Sequence, residues 1–108
     1  MKLDGINFGI TDWDQLTESS QVGEVGTSSS RVVEAGPAMM RMVRYSKGFL
    51  ADHWCRQGHL GHVLEGEVVL EMRDGSTHTV VPGLSFQIPD GEPHRVSSPS
   101  GALVLIVD

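Results

Sequence analysis

Four side chains in this chain stand at spacings that transition-metal chemistry uses: His53, Cys55, His59 and His94. All five histidines lie between positions 53 and 94, and the single cysteine falls among them. On a strand, residues two apart point to the same face, so His53 and Cys55 are expected side by side, roughly 6.5 Å apart along the chain. That separation lets both reach one ion at bonds of about 2.0–2.3 Å. Arg56-Gln57-Gly58 offers a turn after which His59 faces back across it, and His94 arrives from a separate strand pair. Imidazole together with thiolate suits Zn, Ni or Fe and argues against Mg or Ca, which take oxygen ligands. Spacing alone leaves a second reading open, in which His53 and His59 are solvated strand residues and Cys55 is a small core hydrophobe.

The elements that must position these groups read as strands. Gly and Pro together make 18 of 108 residues, and only residues 10–22 and 38–47 run ten or more positions without either. The first admits at most one short helical turn near 11–17, with Thr11 as its cap and Asp14 three residues on. Met39–Arg44 reads as a strand. Residues 63–73 carry a period of two, with Leu64, Gly66, Val68, Leu70 and Met72 on one face and Glu65, Glu67, Glu71 and Arg73 on the other. Asp74-Gly75 then signals a hairpin, Thr77–Val81 returns, and Leu84–Ile88 follows between Pro82-Gly83 and Pro89-Asp90-Gly91. Leu103–Val107 is a continuous apolar run, expected to be a strand buried on both faces. Residues 17–30 are polar and rich in Ser and Gly, an edge or mobile segment. Short strands separated by turn signals predict an all-β sandwich or barrel, a single domain over 1–108 with residues 1–35 as an N-terminal arm and edge strands.

The later half of the chain resembles a known family. Gly83, five residues, Pro89-Asp90-Gly91, two residues and His94 are similar to the second cupin motif, with Ser98 where that motif ends in Asn. Upstream, His53-Trp54-Cys55-Arg56-Gln57-Gly58-His59 and Val63–Glu67 resemble the first cupin motif, with Cys55 in place of its second His and His59 in place of its Glu. Ala51-Asp52-His53-Trp54-Cys55 followed by Gly58-His59 is similar to a small cupin subgroup named for its Asp-His-Cys-Trp motif. The two motifs cover residues 53–98. The resemblance implies a jelly-roll barrel holding one divalent transition metal, commonly in a homodimer, with His53, Cys55, His59 and His94 as its ligands. A thiolate among them favours Zn first, then Ni or Fe. Four ligands around a tetrahedral Zn would close the site; an open position would be needed for catalysis.

One feature of the pattern ties the two motifs together. His59 has the parity of Val63, yet the apolar face that follows is the even one. If His59 and Leu70 both face inward, the strand must change parity between them, and Gly66 is the position where a bulge or turn can do so.

The remaining residues narrow the function classes. Net charge is −6 with His neutral, and no basic cluster could neutralise a run of phosphates, so nucleic acid is not an expected partner. The longest apolar run is too short to span a bilayer, and no apolar leader is visible at the N-terminus. A lone cysteine suits a reducing compartment, which makes the cytoplasm the expected location. Trp54 has outward parity, Tyr45, Arg41 and Arg44 could hold an anionic substrate if they line a pocket, and Met39, Met40 and Met42 read as core fillers. Two classes of function remain: a metal-dependent oxygenase or isomerase acting on a small molecule, or a module, metal-stabilised or metal-free, that binds a sugar or organic acid without catalysis.

Overall fold

The computed structural model describes residues 3–108. Ten strands are present: β1 (Ser19–Val22), β2 (Thr27–Ala35), β3 (Ala38–Tyr45), β4 (Phe49–Leu50), β5 (His59–Gly66), β6 (Val68–Met72), β7 (Thr77–Val80), β8 (Ser85–Ile88), β9 (His94–Ser98) and β10 (Ala102–Val107). They form two antiparallel sheets, one of six strands in the order β1-β2-β3-β10-β5-β8 and one of four in the order β4-β9-β6-β7. This is the all-β architecture expected from the punctuated, alternating sequence, in the jelly-roll form that the resemblance implies. The only helical piece among the described residues is a 3-10 turn at Trp13–Gln15. Its cap is Asp12 rather than Thr11: Asp12 Oδ1 accepts the amide hydrogen of Asp14 at 3.1 Å.

The core lies between the sheets. Val43, Val63, Val104 and Ile106 come from the larger sheet, Val68, Leu70 and Val80 from the smaller, and all are buried. Burying a Val or Ile side chain contributes about 1.5–3 kcal/mol, so these positions hold the two walls together. β10, read from sequence as buried on both faces, alternates instead: Ala102, Val104 and Ile106 are buried and Leu103, Leu105 and Val107 only partly so. The outer side of the larger sheet faces away from the core, and only the inner side is sealed.

The change of parity falls at Gly66. In β5 the buried residues are Gly61 and Val63; in β6 they are Val68 and Leu70. Leu64, expected on the inner face, is therefore exposed. Two events at this point produce the switch. The pairing of β5 with β10 slips by one residue, so that Leu103 faces Glu65 while Val104 faces Val63. Then Gly66, at φ +72°, turns the chain out of the six-stranded sheet into the four-stranded one. A Cβ there would run into the carbonyl of Gly101, so both the conformation and the space demand glycine.

β1 forms the exposed edge of the larger sheet. Its hairpin with β2 is pinned at the tip, where Glu24 and Val25 donate to the Leu50 carbonyl and Leu50 donates back to Val25 at 2.9 Å. Arg95 adds a bond to the Ala51 carbonyl and an ion pair with Glu24. The segment expected as arm and edge thus becomes one wall of the space between the sheets.

Candidate metal centre

Cys55 and His94 meet as directly opposed backbone partners. Cys55 N donates to the His94 carbonyl at 2.8 Å, and His94 N donates to the Cys55 carbonyl at 2.9 Å. Opposed residues put their side chains out on the same side of the ladder. His59 stands at the start of β5, in the other sheet, so the four-residue step from Cys55 to His59 crosses between the walls. The turn at Arg56-Gln57-Gly58 makes that crossing, as the sequence suggested.

The turn is held by the second motif. Asp90 Oδ1 accepts the Gly58 amide hydrogen at 2.7 Å, and Gly91 N donates to the Arg56 carbonyl at 2.8 Å. The approach is close: a Cβ at Gly58 would lie 2.7 Å from both Asp90 N and the Ile88 carbonyl oxygen. Gly58 and Asp90 were not marked as site residues from sequence, because nothing local reveals that two turns more than thirty residues apart dock on each other.

The result is a compact donor set. The ligand atoms of Cys55, His59 and His94 all lie within 4.8 Å of one another, with Cys55 Sγ 3.6 Å from His59 Nε2. The two rings sit edge to face, centroids 5.2 Å apart. His94 is buried, and its Nδ1 donates to the Glu92 carbonyl at 2.9 Å; a carbonyl only accepts, so the hydrogen is on Nδ1 and the lone pair on Nε2. His59 Nδ1 lies 2.7 Å from Asp108 Oδ2, and Arg41 Nη2 meets the same oxygen at 2.7 Å. Burial holds the pKa of His59 below its ordinary value, outweighing the opposite pull of Asp108. The His59–Asp108 contact is therefore a hydrogen bond from a neutral ring rather than an ion pair. One thiol and two imidazoles with inward lone pairs match what a thiophilic divalent ion takes.

His53, the fourth residue expected in the set, stands outside this group. Residues 51–54 form no strand; the backbone bends at Asp52 and His53, so the two-residue parity that was to carry His53 alongside Cys55 does not operate. Its ring is mostly exposed and its Nδ1 lies 2.6 Å from Asp52 Oδ1. That bond pulls the Asp52 pKa down. His53 does reach the wall of the same cavity. Trp54 is half-exposed.

A cavity of about 280 Å³ opens beside the donors. Cys55, His59 and His94 line it together with Arg41 and Tyr45 from β3, Ser28 and Ser30 from β2, and an apolar floor including Leu70, Ile88 and Ile106. Burial pushes the Tyr45 hydroxyl up to about 12 despite nearby Arg41, so it remains a hydrogen-bond donor through the neutral range. Arg44, grouped with them from sequence, is exposed and pairs with Glu65 at 3.1 Å.

The family model described as cupin domain matches residues 42–108, which include all three donors and both docked turns. The chain belongs to the cupin domain family. Solved structures carry the same fold across most of this cupin. A sugar phosphate isomerase of the cupin superfamily from Silicibacter pomeroyi is 23% identical over 92% of this chain and 74% of its own, with a TM-score of 0.72. A predicted oxalate decarboxylase from Thermotoga maritima is 13% identical over 92% and 96% of the two chains, TM-score 0.79. The polyketide cyclase RemF from Streptomyces resistomycificus is 21% identical over 94% and 78%, TM-score 0.74. At these identities the likeness is one of fold, and the activities named for the three differ. The comparison with curated proteins yields no match. Within the cupin frame, Ser98, the departure at the end of the second motif, has a structural task. It is fully buried and its Oγ donates to the Glu67 carbonyl at 2.6 Å, securing the crossover that follows Gly66.

Proposed function

We propose that this cupin holds one divalent transition metal on Cys55, His59 and His94 and offers it to a small-molecule ligand in the adjoining cavity. The observation that carries the reading is the donor set itself, three ligand atoms within 4.8 Å from a thiol and two imidazoles. Zn is the ion that best suits one sulfur and two nitrogens, with Ni or Fe next. With His53 turned to Asp52, three protein ligands leave a tetrahedral ion one place short, the count found where metals act on substrates rather than in closed structural sites. When bound, the ion would supply Lewis-acid polarisation of a ligand oxygen. The chain's own contribution is donors: Arg41, protonated Tyr45 and the hydroxyls of Ser28 and Ser30 favour an organic acid or another oxygen-rich ligand. A metal-free module binding such a ligand is the second reading, and the same polar wall favours it.

Elemental analysis of purified protein after reconstitution with Zn, Ni and Fe(II) in turn separates the two. One ion per chain, with affinity falling sharply in Cys55→Ser, supports the metal centre. Retention of no ion after desalting leaves the metal-free module. We further read the chain as a homodimer, associated through the outer side of the larger sheet, where Leu60 and Leu64 are 47% and 41% exposed; sedimentation equilibrium at micromolar concentration tests it. Among the described residues no helix is long and apolar enough to cross a membrane. The free thiol of Cys55 fits a reducing, cytoplasmic setting.

A further inference from the structure

We infer that Asp108 is a positioning residue for the metal centre: its carboxylate decides which nitrogen of His59 is free for the ion. The inference rests on the metal reading above and extends it to a residue outside the donor set. Asp108 is almost wholly buried, 3% of its side chain exposed, with Oδ2 2.7 Å from His59 Nδ1. A carboxylate accepts and does not donate, so Nδ1 carries the hydrogen. Nε2 keeps its lone pair, and Nε2 is the atom 3.6 Å from Cys55 Sγ. The same bond fixes the plane of the ring, and an imidazole backed by a carboxylate is the more basic metal ligand.

The way Asp108 meets Arg41 argues that orientation toward His59 is its task. An arginine and a carboxylate left to themselves pair through two parallel bonds. Here Arg41 Nη2 meets Oδ2, the oxygen already bonded to His59, while Asp108 Oδ1 and Arg41 Nε are both buried with no hydrogen-bond partner among the described residues. The two-pronged pairing is given up and one oxygen serves both neighbours. Leaving a buried polar atom unmet costs on the order of 1–3 kcal/mol, so packing or charge pairing alone would not select this arrangement. The backbone holds the carboxylate in place: Met39 N donates to the Asp108 carbonyl at 2.7 Å, and Asp108 N donates to that of Met39 at 2.9 Å.

The test compares wild type with Asp108→Ala and Asp108→Asn, each first shown by circular dichroism to keep its β spectrum. In metal-free protein, proton–nitrogen correlation spectra of the imidazoles report the tautomer directly. Wild-type His59 is expected as Nδ1–H. Asp108→Ala should move toward Nε2–H, while Asp108→Asn, whose amide oxygen still accepts, should keep Nδ1–H. Zinc affinity, measured by competition with a chromophoric chelator, should fall about 10–100-fold in Asp108→Ala and by less in Asp108→Asn. A folded Asp108→Ala that keeps the Nδ1–H tautomer overturns the inference, as does unchanged zinc affinity in that folded variant. A wild-type protein that binds no zinc, nickel or iron overturns the metal reading itself, an outcome distinct from both.

Discussion

The two stretches that carry the donors of the candidate centre, residues 53–59 and residues 89–94, are built on different plans. The second is nearly self-contained. Pro89-Asp90-Gly91 makes a tight turn, and the ring of His94 is fixed by the carbonyl of Glu92, only two residues before it. The first borrows its shape. Cys55 is aligned by His94, Gly58 by Asp90, Arg56 by Gly91, and His59 by Asp108. A segment that determines its own geometry can be read from a local pattern; one whose shape comes from distant partners cannot. The same contrast says where the centre is robust and where it is easily disturbed.

The largest expected effect comes from removing the self-contained side. His94→Ala should abolish stoichiometric metal, because it deletes a buried ligand and leaves Cys55 and His59 alone; elemental analysis after reconstitution and desalting checks this. If stoichiometric metal survives, the burden lies on the first stretch and the contrast is reversed.

Next is the joint between the stretches. Gly58→Ala would place a methyl group 2.7 Å from the Asp90 nitrogen and the Ile88 carbonyl oxygen. Backbone atoms yield little, and overpacking of this kind costs about 1–3 kcal/mol. A lowered thermal midpoint together with weaker metal binding is expected, since the turn that separates Cys55 from His59 must shift. A variant as stable as wild type and equally tight for zinc would show that the docking of the two turns is incidental.

A pH titration probes His59 by itself. Its folded pKa lies below the ordinary 6.5 because of burial. A histidine depressed on folding binds more protons in the unfolded chain, so its contribution to stability is complete above about pH 6.5. That contribution is lost as pH falls from there through the folded pKa. The thermal midpoint of the metal-free protein should therefore drop below pH 6.5, and His59→Gln should flatten the slope. Loss of metal from His59 on acidification should likewise set in at a lower pH than for an exposed imidazole.

The smallest effect is expected at the residue the strand pattern placed in the set. His53→Ala removes an exposed ring at the cavity wall that is hydrogen-bonded to Asp52, and surface changes of this sort fall within about 0.5 kcal/mol. Metal content should be unchanged by elemental analysis. A lost ion would bring His53 back as a fourth ligand and make the first stretch the richer of the two.

Much of this is legible in the sequence alone. The turn signal at Asp74-Gly75 predicts the β6–β7 hairpin found, Pro89-Asp90-Gly91 ends β8 as expected, and the conflict of parity between His59 and Leu70 points to the break at Gly66. His59 and Cys55 stand out because a Cys among histidines is chemically conspicuous, and His94 because its motif is local. The placing of His53 assumed a strand where the chain bends, and a two-residue rule has no force without the strand. Asp90, Asp108 and Arg41 escaped as structural supports because their meaning lies in contacts across 32, 49 and 67 residues of sequence. Tyr45 and Arg41 were noticed as polar groups, but their facing a cavity depends on which side of β3 the fold encloses.

The strand order of the larger sheet has a consequence for how the protein is made. β3 and β5 are not bonded to each other; β10 stands between them and pairs with both. Until residues 102–107 emerge and insert, that sheet exists as two separate pieces. All three donor residues have been synthesised by then, but β5, which carries His59, is not yet joined to β3, which carries Arg41, and Asp108 has not yet arrived. The join between β3 and β5, and the carboxylate that backs His59, therefore come only with β10 and the residue after it. A chain ending before Ala102 would contain every donor and still lack the strand that joins β3 to β5 and the carboxylate beside His59.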